Sequence, residues 1–198
     1  MTKIVKLDDE LKNKDIKDLV KNLSSEDPNI KFSSSRVLIE KSEHEPLKLY
    51  PYFDDFLKLT DSKNKIIVWT GIIIIGNLAK VDEKKKIEKI LPRIFSLLNT
   101  GVMITAANTI QTLSKIALAK PELKERITTN LLNIDRYNYD TLECKRIAIG
   151  HIISAMEQFQ PKVDKFVRDF VDKAAHSERH STAKKAEKYL KSIKEDKE

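Results

Sequence analysis

The stretch from Ile66 to Ala79, Ile-Ile-Val-Trp-Thr-Gly-Ile-Ile-Ile-Ile-Gly-Asn-Leu-Ala, decides the fold. It runs for 14 residues without a charge. A bilayer-spanning helix needs roughly 20 apolar residues, so this run is short for a membrane and reads as a buried core helix. A helix apolar on all sides must be covered on several sides, which suits a central position in a helical stack. Gly71 and Gly76 lie inside it, where each costs about 1 kcal/mol relative to Ala. Small residues there let neighbouring helices approach closely.

Outward from this helix, apolar residues recur at helical spacing and period-2 alternation is hard to find. Breaks fall at Thr60-Asp61-Ser62, Val81-Asp82, Asn99-Thr100-Gly101, Lys120-Pro121, Asp135 to Asp140, Gln160-Pro161 and His176-Ser177. Towards the N-terminus, Ser24-Ser25-Glu26-Asp27-Pro28 stops one helix and starts the next, with Pro at the first turn where its missing N–H costs nothing. Asp8 is placed to cap a first helix carrying Leu11, Leu19, Val20 and Leu23. Pro46 and Pro51 mark the opening of a third, whose buried side is Tyr50, Phe53, Phe56, Leu57 and Leu59. The spacing predicts helices over about 8–23, 28–45, 47–59, 63–81, 83–99, 102–119, 122–134, 141–159, 162–175 and 178–195.

These helices repeat in pairs. The apolar doublets Phe56-Leu57, Leu97-Leu98, Leu131-Leu132 and Phe170-Val171 are 41, 34 and 39 residues apart. Leu78-Ala79 and Ile116-Ala117 are 38 apart, and Pro121 and Pro161 are 40 apart. A period near 40 with two helices per period describes stacked hairpins, each too small to bury its own faces. Gly150 sits inside a first helix as Gly71 and Gly76 do.

The segment Ile90-Leu91-Pro92-Arg93-Ile94-Phe95-Ser96-Leu97-Leu98-Asn99 resembles the second helix of a HEAT repeat, with Leu-Pro, a Leu pair and an Asn at the turn. Asp61 to Ala79, ending Ile75-Gly76-Asn77-Leu78-Ala79, resembles the first helix of such a repeat, and Ser25-Glu26-Asp27-Pro28 resembles its opening turn. The resemblance to the HEAT-repeat, armadillo-like α-solenoids implies an all-α superhelix of about four helical hairpins spanning residues 24–180. A capping helix over 1–23 and a C-terminal helix over 181–198 complete a single domain of residues 1–198.

Composition sets limits. The chain has 198 residues, 4 Gly, 6 Pro and 1 Cys. Scarce Gly argues against all-β folds and Gly-rich nucleotide loops. A lone Cys144 excludes an internal disulfide and a cysteine zinc cluster. It fits a reducing compartment, and with no signal peptide in Met1 to Asp18 the expected location is the cytoplasm, without a membrane anchor. Net charge is +7. Residues 1–62 carry −2, whereas 63–101 carry +5, largely from Lys84, Lys85, Lys86, Lys89 and Arg93.

Chemical motifs are sparse: GxSxG, P-loop, HExxH and GxGxxG patterns are all missing. His176 and His180 share helical spacing but fall at a break, so a solvated basic corner is expected and no metal. Cys144, beside Lys145 and Arg146, reads as a small core-facing residue at a helix start. Glu122, Glu125 and Asp135 read as solvated helix surface. HEAT-like alkylpurine DNA glycosylases use aromatic and Asp/Arg residues on a basic concave face. Asp135-Arg136-Tyr137 is the one local grouping similar to such a site, while Trp69 falls within the apolar helix. The reading is therefore a non-catalytic scaffold without cofactor, binding a protein or peptide of acidic character along the concave face formed by successive second helices. Its expected contacts are Tyr52, Lys89, Arg93, Arg126, Asn130, Lys165 and Arg168. The alternative is a nucleic-acid (DNA) module in which Lys89, Arg93, Lys124, Arg126, Lys162, Lys165 and Arg168 contact phosphates. Asp54, Asp55, Asp169 and Asp172 on the same helices oppose it. Lys184, Lys185, Lys188, Lys191 and Lys194 form a terminal basic run interrupted by Glu187, Glu195, Asp196 and Glu198, a pattern of a salt-bridged helix.

Overall fold

A computed structural model describes the backbone of residues 3–195 and the side chains of residues 7–193. The end of the terminal basic run, the side chains of Lys194 and Glu195 together with Asp196 and Glu198, lies outside the described residues. The helices are α1 (Lys3–Lys12), α2 (Ile16–Asn22), α3 (Pro28–His44), α4 (Pro46–Leu49), α5 (Phe53–Leu59), α6 (Lys65–Leu78), α7 (Lys86–Ser96), α8 (Met103–Ala119), α9 (Lys124–Leu132), α10 (Leu142–Phe159), α11 (Lys165–Ala175) and α12 (His180–Glu195). Short 3-10 turns at Tyr50–Tyr52, Ala79–Val81, Leu97–Asn99, Pro121–Leu123 and Asn133–Arg136 join or extend them. Among the described residues the fold is all-α, with no strand.

The first helices of the hairpins keep a tight cadence. α3, α6, α8, α10 and α12 begin at residues 28, 65, 103, 142 and 180, which are steps of 37, 38, 39 and 38. The period is thus slightly shorter than the 40 expected. A parallel bridge between Gly101 and Tyr139, again 38 apart, sets the starts of α8 and α10 side by side.

Two compact units make up the chain, Met1–Ile87 and Glu88–Glu198. In the first, α3 packs against α1, α2 and α6, and α5 packs against α6. Leu19, Leu38, Phe53, Phe56, Ile72 and Ile75 are fully buried there. Small polar residues sit between α3 and α6 and bond to one another. The Ser35 and Thr70 hydroxyls are 2.5 Å apart, and Asn77 Nδ2 donates to Ser42 Oγ at 2.8 Å. Pairing removes most of the cost of burying these groups. Gly71 permits the approach of α5: a Cβ at that position would stand 2.7 Å from the Phe56 carbonyl oxygen.

In the second unit, α10 packs between α8 and α12, and α11 packs on α12. Gly150 plays the part of Gly71, since a Cβ there would stand 2.8 Å from Thr182 Oγ1. That hydroxyl donates to the Arg146 carbonyl at 2.9 Å. Ser114 Oγ donates to Gln158 Oε1 at 3.2 Å across α8 and α10.

Several boundaries differ from expectation. The helix expected over 8–23 is two, because the chain breaks between Lys12 and Ile16. Asp8 is accordingly no cap: it lies inside α1, and its carboxylate accepts two 2.8 Å bonds from the Arg36 guanidinium on α3. That guanidinium holds the Asp8 carboxyl below its usual range. The helix expected over 47–59 is interrupted at Tyr50–Tyr52, where Pro51 removes a backbone donor. The helix expected from 83 begins at Lys86, because Asp82 reaches over the turn to cap it. The helix expected from 162 begins at Lys165, for the reason given next.

Candidate functional site

The second helices α9 and α11 follow the prolines Pro121 and Pro161, yet they begin differently. Pro121 opens a 3-10 turn that runs directly into α9. After Pro161 the chain stays non-helical for three more residues, and α11 starts only at Lys165. The reason is Asp164. Its extended backbone and its carboxylate, which accepts from the Val167 N–H at 3.0 Å, make it the helix cap. The equivalent stretch after Pro121 is Glu-Leu-Lys, which offers no capping residue at that place, so the helix runs on.

A groove of about 770 Å³ lies between α9 and the start of α11. Glu122, Glu125 and Leu132 line one wall; Lys162, Asp164 and Phe166 line the other. Phe166 is 73% exposed. Lys124 adds a second ammonium group to the lining. Among the described residues, no ion pair involves Glu122, Glu125, Lys124 or Lys162.

The residues expected to bind a partner are spread over the second helices. Tyr52, half-buried, closes the 3-10 turn in the first unit. Lys89 and Arg93 lie one helical turn apart on α7, and Arg126 and Asn130 likewise on α9. Asn130 Nδ2 donates to the Arg126 carbonyl at 3.0 Å. Lys165 and Arg168 share a flank of α11. Lys89, Arg126 and Lys165 are exposed and Arg168 is half-buried, and among the described residues none of the four joins an ion pair. Arg93 is half-buried and engaged within the molecule. None of these residues lines the groove. At about 100° per residue, Arg126 and Asn130 fall on the opposite flank of α9 from Glu125 and Leu132. Phe166 went unnoticed in the sequence, although a signal existed. It lies off the buried stripe of Val167, Val171 and Ala174, so a large apolar side chain there has no core to enter.

Other candidate groups are absorbed by structure. Asp135 pairs with Lys173 at 2.7 Å, and the Tyr137 hydroxyl donates to the Asn130 carbonyl at 3.2 Å. His176 Nδ1 lies 2.9 Å from the Asp172 carbonyl at the end of α11. Among the described residues, His, Cys, Asp and Glu nowhere gather in a group of three that could hold a metal. Cys144 is half-buried near the start of α10, its N–H bonded to the capping Thr141 hydroxyl at 3.1 Å. Lys86 pairs with Asp54 at 2.7 Å and sits 5.3 Å over the Phe53 ring, so the basic cluster read at 84–93 is partly neutralised. Beside it, Tyr50 donates to the buried Asp82 at 2.6 Å. Burial first, and that bond second, push the Tyr50 hydroxyl up to about 12. Lys188 of α12 pairs with Glu157 of α10, a bond between helices. No helix of the described residues is long and apolar enough to cross a membrane.

No family model and no curated protein matches the sequence. Solved structures do match its shape. A designed armadillo repeat protein superposes with a TM-score of 0.58 at 16% identity, covering 95% of this chain and 90% of its own. An engineered protein of known crystal structure superposes with a TM-score of 0.55 at 16% identity, covering 98% of each chain. At such identity the likeness speaks for the fold. Together with hairpins stepping every 37–39 residues, it establishes that this chain has an armadillo/HEAT-like helical repeat fold.

Proposed function

We propose that this repeat scaffold binds a protein or peptide through the exposed surface of its second helices, without catalysis. The observation that supports this best is the charge pattern of α9, α11 and the turn before α9. Lys124, Arg126, Lys165 and Arg168 alternate there with Glu122, Glu125, Asp169 and Asp172, and among the described residues none is in an ion pair. Charges left unpaired on a repeat surface are available to a partner's charges, and mixed signs suit the mixed surface of a protein. A polyanion would meet four carboxylates beside the four cations, which weakens the counterion release on which nucleic-acid binding depends.

Lys89, Arg126, Lys165 and Arg168 are the side chains offered to acidic groups of the partner, with Asn130 beside them. Arg93 belongs with them, and Tyr52 is a separate contact residue within the first unit. The test is a titration of the purified protein against labelled duplex DNA at two salt concentrations. Absence of binding at low salt is the expected result. Micromolar binding that collapses as salt rises would overturn the proposal in favour of a nucleic-acid module.

A further inference from the structure

The groove lies between α9 and the start of α11, where Asp164 caps the helix. Phe166 stands 73% exposed at one wall, and an aromatic ring so exposed beside a concavity is a common anchor point for a partner. Leu132, half-buried, faces it from α9. Glu122, in the 3-10 turn before α9, and Glu125, in α9, follow at a spacing of three, and Asp164 lies across from them. The three carboxylates stand beside Phe166 and Leu132, against the two ammonium groups of Lys124 and Lys162.

We infer that this groove takes an amphipathic segment of a partner protein, with one large apolar side chain packed on Phe166 and Leu132. Basic residues flanking that side chain face Glu122, Glu125 and Asp164. The inference rests on the scaffold reading and adds to it a second locus, whose sign is opposite to that of the Arg126 and Arg168 flanks. The occupant is a protein segment because the site joins two apolar side chains, Phe166 and Leu132, to carboxylates of which Glu122 and Glu125 are in no ion pair among the described residues. A nucleic acid would be repelled by the same carboxylates.

A random-peptide display library selected against the purified full chain provides the probe, and the enriched peptide is then titrated against variants. Phe166→Ala is expected to weaken binding about tenfold or more, as truncation of an interface anchor does. The double reversal Glu122→Lys with Glu125→Lys is expected to do the same. Arg126→Ala with Arg168→Ala should leave binding at this groove unchanged. All the replaced side chains are exposed except the half-buried Arg168, and circular dichroism checks that each variant is folded. Should the peptide ignore both groove variants and lose affinity only with Arg126→Ala and Arg168→Ala, the groove assignment fails while the scaffold reading stands. If no peptide is enriched over an unrelated control protein, both fail. A mass that rises with concentration and returns to the monomer value in Phe166→Ala would put a second copy in the groove, overturning the assignment to a partner segment.

Discussion

The first helices and the second helices of this molecule use their surfaces in opposite ways. Between α3 and α6, polar groups are small, buried and bonded to one another, as at Ser35–Thr70 and Ser42–Asn77. Along α9 and α11 several are long, exposed and outside any ion pair among the described residues, as at Arg126, Lys165 and Glu125, although Lys173 of α11 pairs with Asp135. One layer spends its hydrogen bonds on fixing the neighbour's position, the other leaves its charges for outside groups. Sequence changes should therefore cost stability in the first layer and binding in the second.

The largest stability effect is expected from Ile75→Ala at a fully buried position of α6, a loss of about 2–5 kcal/mol from the cavity left behind, measured by urea unfolding. Gly71→Val comes next. Its added atoms would meet the backbone carbonyl of Phe56, which cannot swing aside, and overpacking of this kind costs about 1–3 kcal/mol. A wild-type melting midpoint for either variant would break the contrast. In the second layer, Asp164→Ala removes the cap of α11 and should cost about 0.5–2 kcal/mol, with faster hydrogen exchange at Val167 as its local mark.

A smaller effect tests the joint between α1 and α3. Arg36 lowers the Asp8 pKa below its ordinary 3.8, so their pair stabilises fully above that pH and fades as the pH falls through the lower folded value. Both side chains are partly exposed, which limits the contribution to about 1 kcal/mol or less. Arg36→Ala should therefore be the less stable at neutral pH and converge with the parent in acid below the ordinary carboxylate range. The smallest effect belongs to Phe166→Ala, whose exposed ring predicts a change within about 0.5 kcal/mol. A large loss there would show that the ring supports the fold, against the role given to it.

Much of this was legible in the sequence. The apolar run at 66–79, the paired breaks and the repeated doublets lead to a helical hairpin repeat, and the similarity to armadillo repeat structures agrees. Glycines at 71 and 150 marked helix approaches that the structure places against Phe56 and Thr182. Cap competition was less legible, because it depends on which of several nearby residues wins. Asp8 is a good capping residue by type, yet the helix starts before it and an Arg from α3 claims its carboxylate. Pro161 looks like a helix start, yet Asp164 is a stronger one. The groove beside that cap has no motif of its own. Six of the seven expected contact residues lie on α7, α9 and α11 and Tyr52 lies in a 3-10 turn, but periodicity says nothing about which flank of a helix faces its neighbour across a gap.

The steady step between first helices also bears on how the chain folds. The side-chain bonds that pin neighbours within each unit join residues no more than 44 apart, as in Asp8–Arg36, Ser35–Thr70, Ser42–Asn77 and Ser114–Gln158. Nothing in that pattern requires distant parts of the chain to find each other first. A hairpin and its neighbour suffice as a nucleus, and order spreads by addition of adjoining hairpins. Such a polymer has no single keystone: damage near one end is felt over a repeat or two, and fraying proceeds inward one hairpin at a time.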